Sequence, residues 1–301
     1  MNLLIITQKV DKNDDVLGFF HGWIEEFAKH CQNVTVICLY EGMHDLPKNV
    51  RVLSLGKEHG VSRIKYLTRF YRFIWQERTN YDSVFVHMNP EYVVLGGLLW
   101  RMWGKTIGLW YMHKSVDLKL RIAEKLAHHI FSGTKESFRF KSSKLHVMGH
   151  GIDTHFFSPD PTIKRGAHLL SVGRLMSIKH HDEVIRVAKE ETRALRIAGS
   201  GTERDALKAL ASELGVEVTF LGPLSQKELR DEYRKAARLV HRSQTGSLDK
   251  VVLEAAASGC VVDTSDPATS KLPLSVEYVR THHALQSLVP AILSLYEKNL
   301  A

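Results

Sequence analysis

Short, unbroken apolar runs alternate with amphipathic helical segments along this chain, and the alternation starts twice. Leu3-Leu-Ile-Ile6 opens the first series and Leu169-Leu-Ser-Val172 opens the second. A strand with one wet face would alternate apolar and polar residues. An unbroken run reads instead as a strand covered on both faces, the position a strand occupies in a parallel sheet. Further strands are predicted at 34–39, 50–55, 83–87, 106–110, 128–131 and 145–148, with a helix from Phe20 to His30. The second series predicts strands at 168–172, 194–198, 218–221, 238–241 and 260–262, with helices at 182–191, 203–214, 226–236 and 251–257. Strand–helix alternation of this kind predicts α/β architecture with two Rossmann-like, doubly wound domains.

The chain has 301 residues, more than one typical domain. Phe157-Ser-Pro-Asp-Pro-Thr162 has the proline and polar content of a linker. The expected division is an N-terminal domain over 1–158, a second domain over 159–285, and a C-terminal helix over 286–301 that packs back on the first. A composition of 44% hydrophobic and 25% charged residues supports a sizeable core in each half and excludes a disordered chain. The net charge of +8 is concentrated in the N-terminal half. Such a field suits phosphorylated substrates, an anionic membrane surface or nucleic acid without choosing among them. No aromatic–basic repeat or recognition motif supports nucleic acid.

Cys31, Cys38 and Cys260 are odd in number, sit in apolar surroundings and form no C-x-x-C, so they read as buried reduced thiols. No signal-peptide pattern opens the chain and no apolar stretch reaches about 18 residues. The expected location is the cytoplasm.

Three blocks in the second half could carry chemistry. In Ser171-Val-Gly173-Arg174-Leu-Met-Ser-Ile-Lys179-His180, Arg174 and Lys179 follow a strand end, where open α/β sheets bind ligands. Either the pair clamps a diphosphate or the loop is simply solvated and basic. Ala198-Gly199-Ser-Gly201-Thr lies between a strand and a helix. Its glycines serve a ligand's close approach or a purely structural turn. Thr245-Gly246-Ser247-Leu248-Asp249-Lys250 opens an Ala-rich helix whose free amides and dipole would face an anion. Glu254, on an otherwise apolar helix, either pairs with a base or accepts hydrogen bonds from ligand hydroxyls. In the first half, His113 follows the strand at 106–110.

Taken in order, these blocks resemble the retaining glycosyltransferases of family 4. The resemblance covers nearly the whole chain. It includes the Gly18 loop before Phe-Phe-His-Gly-Trp, His113 after its strand, Gly149-His-Gly-Ile-Asp153, Val172-Gly-Arg-Leu with Lys179, Ala198-Gly-Ser-Gly201, Phe220-Leu-Gly-Pro223 and Leu253-Glu-Ala-Ala-Ala-Ser-Gly259. It implies the B-type glycosyltransferase fold, with two domains facing across a cleft. It also implies transfer of a sugar from a nucleoside-diphosphate donor, with UDP or GDP as the base-bearing part, to a hydroxyl of a glycan or lipid-linked acceptor. Retention at the anomeric carbon and independence of metal belong to the same expectation, and no other cofactor is implied.

The resemblance assigns roles residue by residue. Arg174 and Lys179 would hold the diphosphate, with His113 beside the transferring sugar. Gly18 would approach the donor phosphates or the acceptor, Gly173, Gly199 and Gly201 would line the donor, Glu254 would meet the ribose, and Gly222 to Leu224 would lie against the base. One departure stands out. The family usually has two glutamates seven residues apart, and counting back from Glu254 the first falls on Gly246. Asp249 either takes over the sugar contact or complements the helix dipole as a first-turn acid. Three competing readings follow: a nucleotide-sugar epimerase on the same fold, a catalytically degenerate nucleotide-sugar-binding protein, and a nucleic-acid binder suggested only by charge.

The segment 61–78 places Lys65, Arg69 and Arg72 on one helical face with apolar residues over much of the rest. Trp100, Met102 and Trp103 follow, with Arg101 and Lys105 among and after them. Segments 61–78 and 100–105 are therefore candidates for peripheral contact with a membrane or lipid acceptor. A core-packed helix with a solvated basic side gives the same pattern.

Overall fold

The computed structural model describes residues 1–113, 115–244 and 248–298. These fall into two compact units: Met1–Gly151 together with the segment from Leu285 onward, and Ile152–Ala284.

The first unit runs β1 (Asn2–Val10), α1 (Phe19–His30), β2 (Asn33–Glu41), β3 (Val50–Ser54), α2 (Arg63–Gln76), β4 (Ser83–His87), α3 (Pro90–Met102), β5 (Thr106–Trp110), α4 (Leu118–Leu126), β6 (His129–Ser132) and β7 (Leu145–Val147). Its seven-stranded sheet has the order β3-β2-β1-β4-β5-β6-β7, with every pairing parallel. The unbroken apolar run of β1 has a direct structural reason. Leu3 and Ile5 join a cluster with Trp23 and Phe27 of α1, whereas Leu4 and Ile6 join one with Phe70, Ile74, Val93 and Trp100 of α2 and α3. Alternate side chains point to opposite faces, and both faces are dry.

The second unit runs β8 (Leu169–Val172), α5 (His181–Glu190), β9 (Leu195–Ala198), α6 (Arg204–Leu214), β10 (Val218–Gly222), α7 (Gln226–Lys235), β11 (Arg238–His241), α8 (Lys250–Ala257), β12 (Val261–Thr264) and α9 (Val276–His282). Its five strands lie in the order β10-β9-β8-β11-β12, again all parallel. Local sequence sets several boundaries. Ser225 and Glu228 form a reciprocal capping box at the start of α7, and Gly215, at φ 64°, ends α6 in the left-handed conformation. The chain winds outward from β8 through β9 to β10, then crosses back to β11. β8 and β11 therefore flank the switch point of the sheet.

The last helix, α10 (Leu285–Glu297), belongs to the first unit's core. Tyr296 is fully buried and its hydroxyl donates to the Val84 carbonyl at 3.1 Å. A Cβ on Gly108 would come within 2.2 Å of that hydroxyl oxygen, so β5 can pass here only as glycine.

Two expectations shift. The units part at Gly151/Ile152, upstream of the proline-rich stretch, because the Ile152 amide donates to the His283 carbonyl at 2.7 Å and Phe157 is buried in the second unit's core. Trp100 is no surface aromatic: it is fully buried and its Nε1 donates to the Tyr81 hydroxyl at 3.1 Å. No helix among the described residues is long and apolar enough to cross a membrane. The three cysteines are free and buried, and burial pushes their thiols upward, Cys31 to about 11. They are poor nucleophiles.

Candidate functional site

At the carboxyl end of β8 the chain turns through Gly173 and Arg174 and returns over the sheet at Lys179. The aliphatic part of Lys179 lies over Gly173, with its Cδ 3.6 Å from where a Cβ would stand. Its ammonium ion-pairs with Asp249, the residue just before α8, and donates to Ser243 Oγ at 3.4 Å. Asp249 Oδ2 also accepts from His241 Nε2 at 2.9 Å, and His241 Nδ1 lies 3.1 Å from Thr264 Oγ1. Three strand ends of the second unit, those of β8, β11 and β12, are thus joined by one polar chain.

Burial would raise the Asp249 carboxyl, but the hydrogen bond from His241 and the charge of Lys179 outweigh it and hold the group at about 2. Asp249 is therefore a fixed anion at neutral pH. Its side chain makes no capping bond to α8, and it is the counter-ion that orients Lys179.

Arg174 is exposed, and among the described residues its guanidinium has no ion pair. Lys179 reaches the switch point already neutralised, whereas Arg174 stands available to an incoming anion.

Behind this loop sits a residue that sequence reasoning passed over. His181 is buried, its Nδ1 lies 2.9 Å from Ser171 Oγ and its Nε2 lies 3.3 Å from the Arg174 carbonyl. A carbonyl only accepts, so the ring carries its proton on Nε2 and takes the Ser171 hydroxyl at Nδ1. Burial pushes its pKa down to about 4, so the imidazole stays neutral and holds the backbone of Arg174 in place. The signal was present as one histidine two residues after Lys179, but 17 histidines in the chain left it indistinct.

The glycines of Ala198-Gly-Ser-Gly201 have a structural reason. A Cβ at Gly199 would stand 1.9 Å from the Gly173 carbonyl oxygen, and one at Gly201 would stand 2.3 Å from that of Leu175. The Leu175 amide donates to the Ser200 carbonyl at 2.9 Å. These glycines let the two loops press backbone on backbone, which fixes the Arg174 segment from its other side. Gly222, at φ 74°, closes β10, and its carbonyl accepts from the Gly199 amide at 2.8 Å. Leu224 packs half-buried against the second unit's core.

Glu254 is buried within α8 and is not a lone carboxylate. The Tyr233 hydroxyl donates to its Oε2 at 3.4 Å, and Lys250 Nζ lies 4.0 Å from Oε1. Burial raises the Glu254 carboxyl and lowers the Lys250 ammonium. Leu248 is buried in the same core. Gly246 and Ser247 lie outside the described residues. The helix itself begins at Lys250, later than the position around Ser247 expected from the loop.

In the first unit, Gly18 precedes α1. Its amide donates to the Asp14 carbonyl at 3.0 Å, and a Cβ would stand 2.4 Å from that oxygen. Its hydrogen bond is spent inside the loop, and its lack of a side chain is what allows that loop to close. Lys9 anchors the same loop through Asp14 Oδ2 at 2.5 Å. His113, after β5, is exposed and shares a 2.9 Å contact with Ser115 Oγ.

Comparison with known proteins agrees with this architecture. Residues 155–271 match the family described as "Glycosyl transferases group 1". A curated relative, the D-inositol 3-phosphate glycosyltransferase of Frankia alni, is 35% identical over 144 residues, covering 40% of this chain and 35% of that protein. The chain thus spans about a third of the length of the curated relatives it matches. Among solved structures, sucrose-phosphate synthase from Thermosynechococcus elongatus superposes with a TM-score of 0.73 at 13% identity, covering 100% of this chain and 99% of that one. Anabaena HepE in complex with UDP and glucose superposes with a TM-score of 0.65 at 15% identity, covering 98% and 95%. The chain therefore has the paired Rossmann-like fold of the B-type glycosyltransferases, and its residues 155–271 carry the sequence pattern of group 1 glycosyl transferases.

Proposed function

We propose that the chain transfers a sugar from a nucleoside-diphosphate donor to an acceptor hydroxyl, with retention and without metal. The observation that carries this reading is the pair of cations on the loop after β8, at the switch point of the second sheet. Lys179 is oriented there by Asp249 and His241, and Arg174 is left without an ionic partner among the described residues. In the reaction, the acceptor oxygen bonds to the anomeric carbon and the bond from that carbon to the diphosphate breaks. The hydroxyl proton leaves on the departing phosphate. Arg174 and Lys179 stabilise the charge that builds on the diphosphate, and the fixed positions of both loops mean that little reorganisation is needed as it does so.

Further assignments follow from the resemblance. Glu254 turns from Lys250 toward the donor ribose, Gly222 to Leu224 border the base, and His113 meets the transferred sugar. The acceptor class we propose is a phosphorylated polyol or glycan, from the name that the curated relatives share and the positive charge of the N-terminal half.

A thermal-shift screen across UDP-, GDP- and ADP-sugars tests the reading, because a ligand that binds the native state raises the melting temperature. One nucleotide series should stabilise the protein, and Lys179→Ala should abolish the shift. Donor consumption with inositol phosphates as acceptors should follow the same base. Indifference to every nucleotide sugar would remove the proposal. One observation favours a binding protein without turnover: Asp249 already neutralises Lys179. Donor binding with no transfer over the acceptor panel would select that alternative.

A further inference from the structure

Helix α2 has two apolar faces. One, with Phe70 and Ile74, is buried in the core of the first unit. The other, Ile64, Leu67, Tyr71 and Trp75, is spaced i, i+3, i+7, i+11 and faces solvent, with Ile64 75% and Trp75 55% exposed. A helix that only covers a sheet needs no second stripe. Placing these side chains in water forgoes burial that each would gain elsewhere.

The stripe continues onto the neighbouring helix. The Tyr71 hydroxyl donates to the Leu95 carbonyl of α3 at 3.2 Å, and the Trp75 and Trp103 rings meet edge to face at 5.8 Å. On α3, Leu98 and Met102 are 65% and 79% exposed. More than half of the exposed large hydrophobic side chains among the described residues lie on α2, α3 and α4.

The charges beside the stripe have one dominant sign. Helix α2 carries Arg63, Lys65, Arg69 and Arg72 and no acidic residue. Arg69 is turned inward, its guanidinium donating to the Leu55 carbonyl at 3.0 Å, whereas Arg63, Lys65 and Arg72 are exposed. Arg78 lies over the Trp75 ring at 4.5 Å, and Arg101 is exposed beside Met102. Apolar and aromatic side chains on a helix flanked by cations match the boundary of an anionic bilayer, where rings sit among headgroups and basic residues meet lipid phosphates.

We infer that the α2–α3 face of the first unit docks on an anionic phospholipid surface, with Ile64, Leu67, Trp75 and Met102 entering the headgroup boundary. The partner is identified by charge complementarity. A second copy of this chain would bring a like-charged stripe against α2.

Co-sedimentation with vesicles tests this. The wild-type chain should pellet with equimolar phosphatidylcholine–phosphatidylglycerol vesicles and stay in solution with phosphatidylcholine alone. Raised salt should weaken the binding, because exposed charges are screened. The tryptophan emission of the wild type should shift to the blue on adding the mixed vesicles, because Trp75 is the exposed one of its five tryptophans, and Trp75→Phe should remove most of that shift. The doubles Trp75→Ser/Met102→Ser and Lys65→Glu/Arg72→Glu should each lower partitioning about tenfold with the wild-type melting temperature retained. Three results would overturn the inference: no binding to the mixed vesicles, doubles that pellet like the wild type, or a dimer in sedimentation that Trp75→Ser/Met102→Ser dissociates.

Discussion

Lys179 and Asp249 act as one charged unit, so a substitution at either must be interpreted through the partner left behind. If the chain acts as proposed, Lys179→Ala removes a cation from the diphosphate site and leaves Asp249 facing the incoming donor. Losing one preorganised electrostatic contact of this kind lowers kcat/KM by about 100-fold or more, to be measured with saturating acceptor. Asp249→Asn has two opposite effects. On the proposed reading it removes a carboxylate that would compete with the diphosphate for Lys179, so UDP or GDP should bind about tenfold tighter in calorimetry. It also removes a stabilising charge whose folded pKa, about 2, lies below its unfolded value. A depressed carboxyl contributes stability that is complete above the unfolded pKa and lost as pH falls through the folded one. The wild type should therefore lose about 2 kcal/mol between roughly pH 5 and 2 through this group. Asp249→Asn should flatten that part of the profile in urea titrations. Equal slopes for the two proteins would show that the ion pair does not form in solution.

The elements were legible in the sequence to a different degree from the contacts between them. Strand β1 and helix α1 could be read because burial on both faces writes an unbroken run, and a helix on one face writes a 3.6-residue stripe. The Arg174–Lys179 loop was legible as a basic strand end. Its support was not, because that support is built from backbone contacts between loops distant in sequence and from His181, one histidine among many. The contacts of Asp249 were hidden for the same reason: its two partners lie 70 and 8 residues away, and no local pattern encodes them. In the Gly199 loop, the motif's spacing was visible, but the carbonyl it accommodates was not. Gly199→Ala drives a Cβ against the Gly173 oxygen and must displace the Arg174 segment. It should cost about 2 kcal/mol or more and weaken donor binding in the same thermal-shift assay. Gly215→Ala is the control. It stands at φ 64° with open space around it, so it carries only the left-handed penalty, about 1 kcal/mol, and should leave donor binding unchanged.

At the scale of the whole chain, the last helix stabilises the unit that the first residues begin. Tyr296 of α10 lies in one cluster with Leu3, Phe85 and Phe131, and its hydroxyl reaches the β4 backbone. The second unit has its own two clusters, and none of their residues comes from α10. The stabilities of the two units are therefore open to separate perturbation, and calorimetry can resolve them if they melt apart. Tyr296→Ala removes a buried ring and leaves the Val84 carbonyl without its donor, a loss of about 3–5 kcal/mol. The transition of the first unit should fall by about 10 °C, while the transition that a bound nucleotide sugar raises should stay where it is. Ligand and mutation would then act on different parts of the melting curve. If Tyr296→Ala instead lowered both transitions together, the two units would unfold as one, and the separation of their cores would carry no thermodynamic weight.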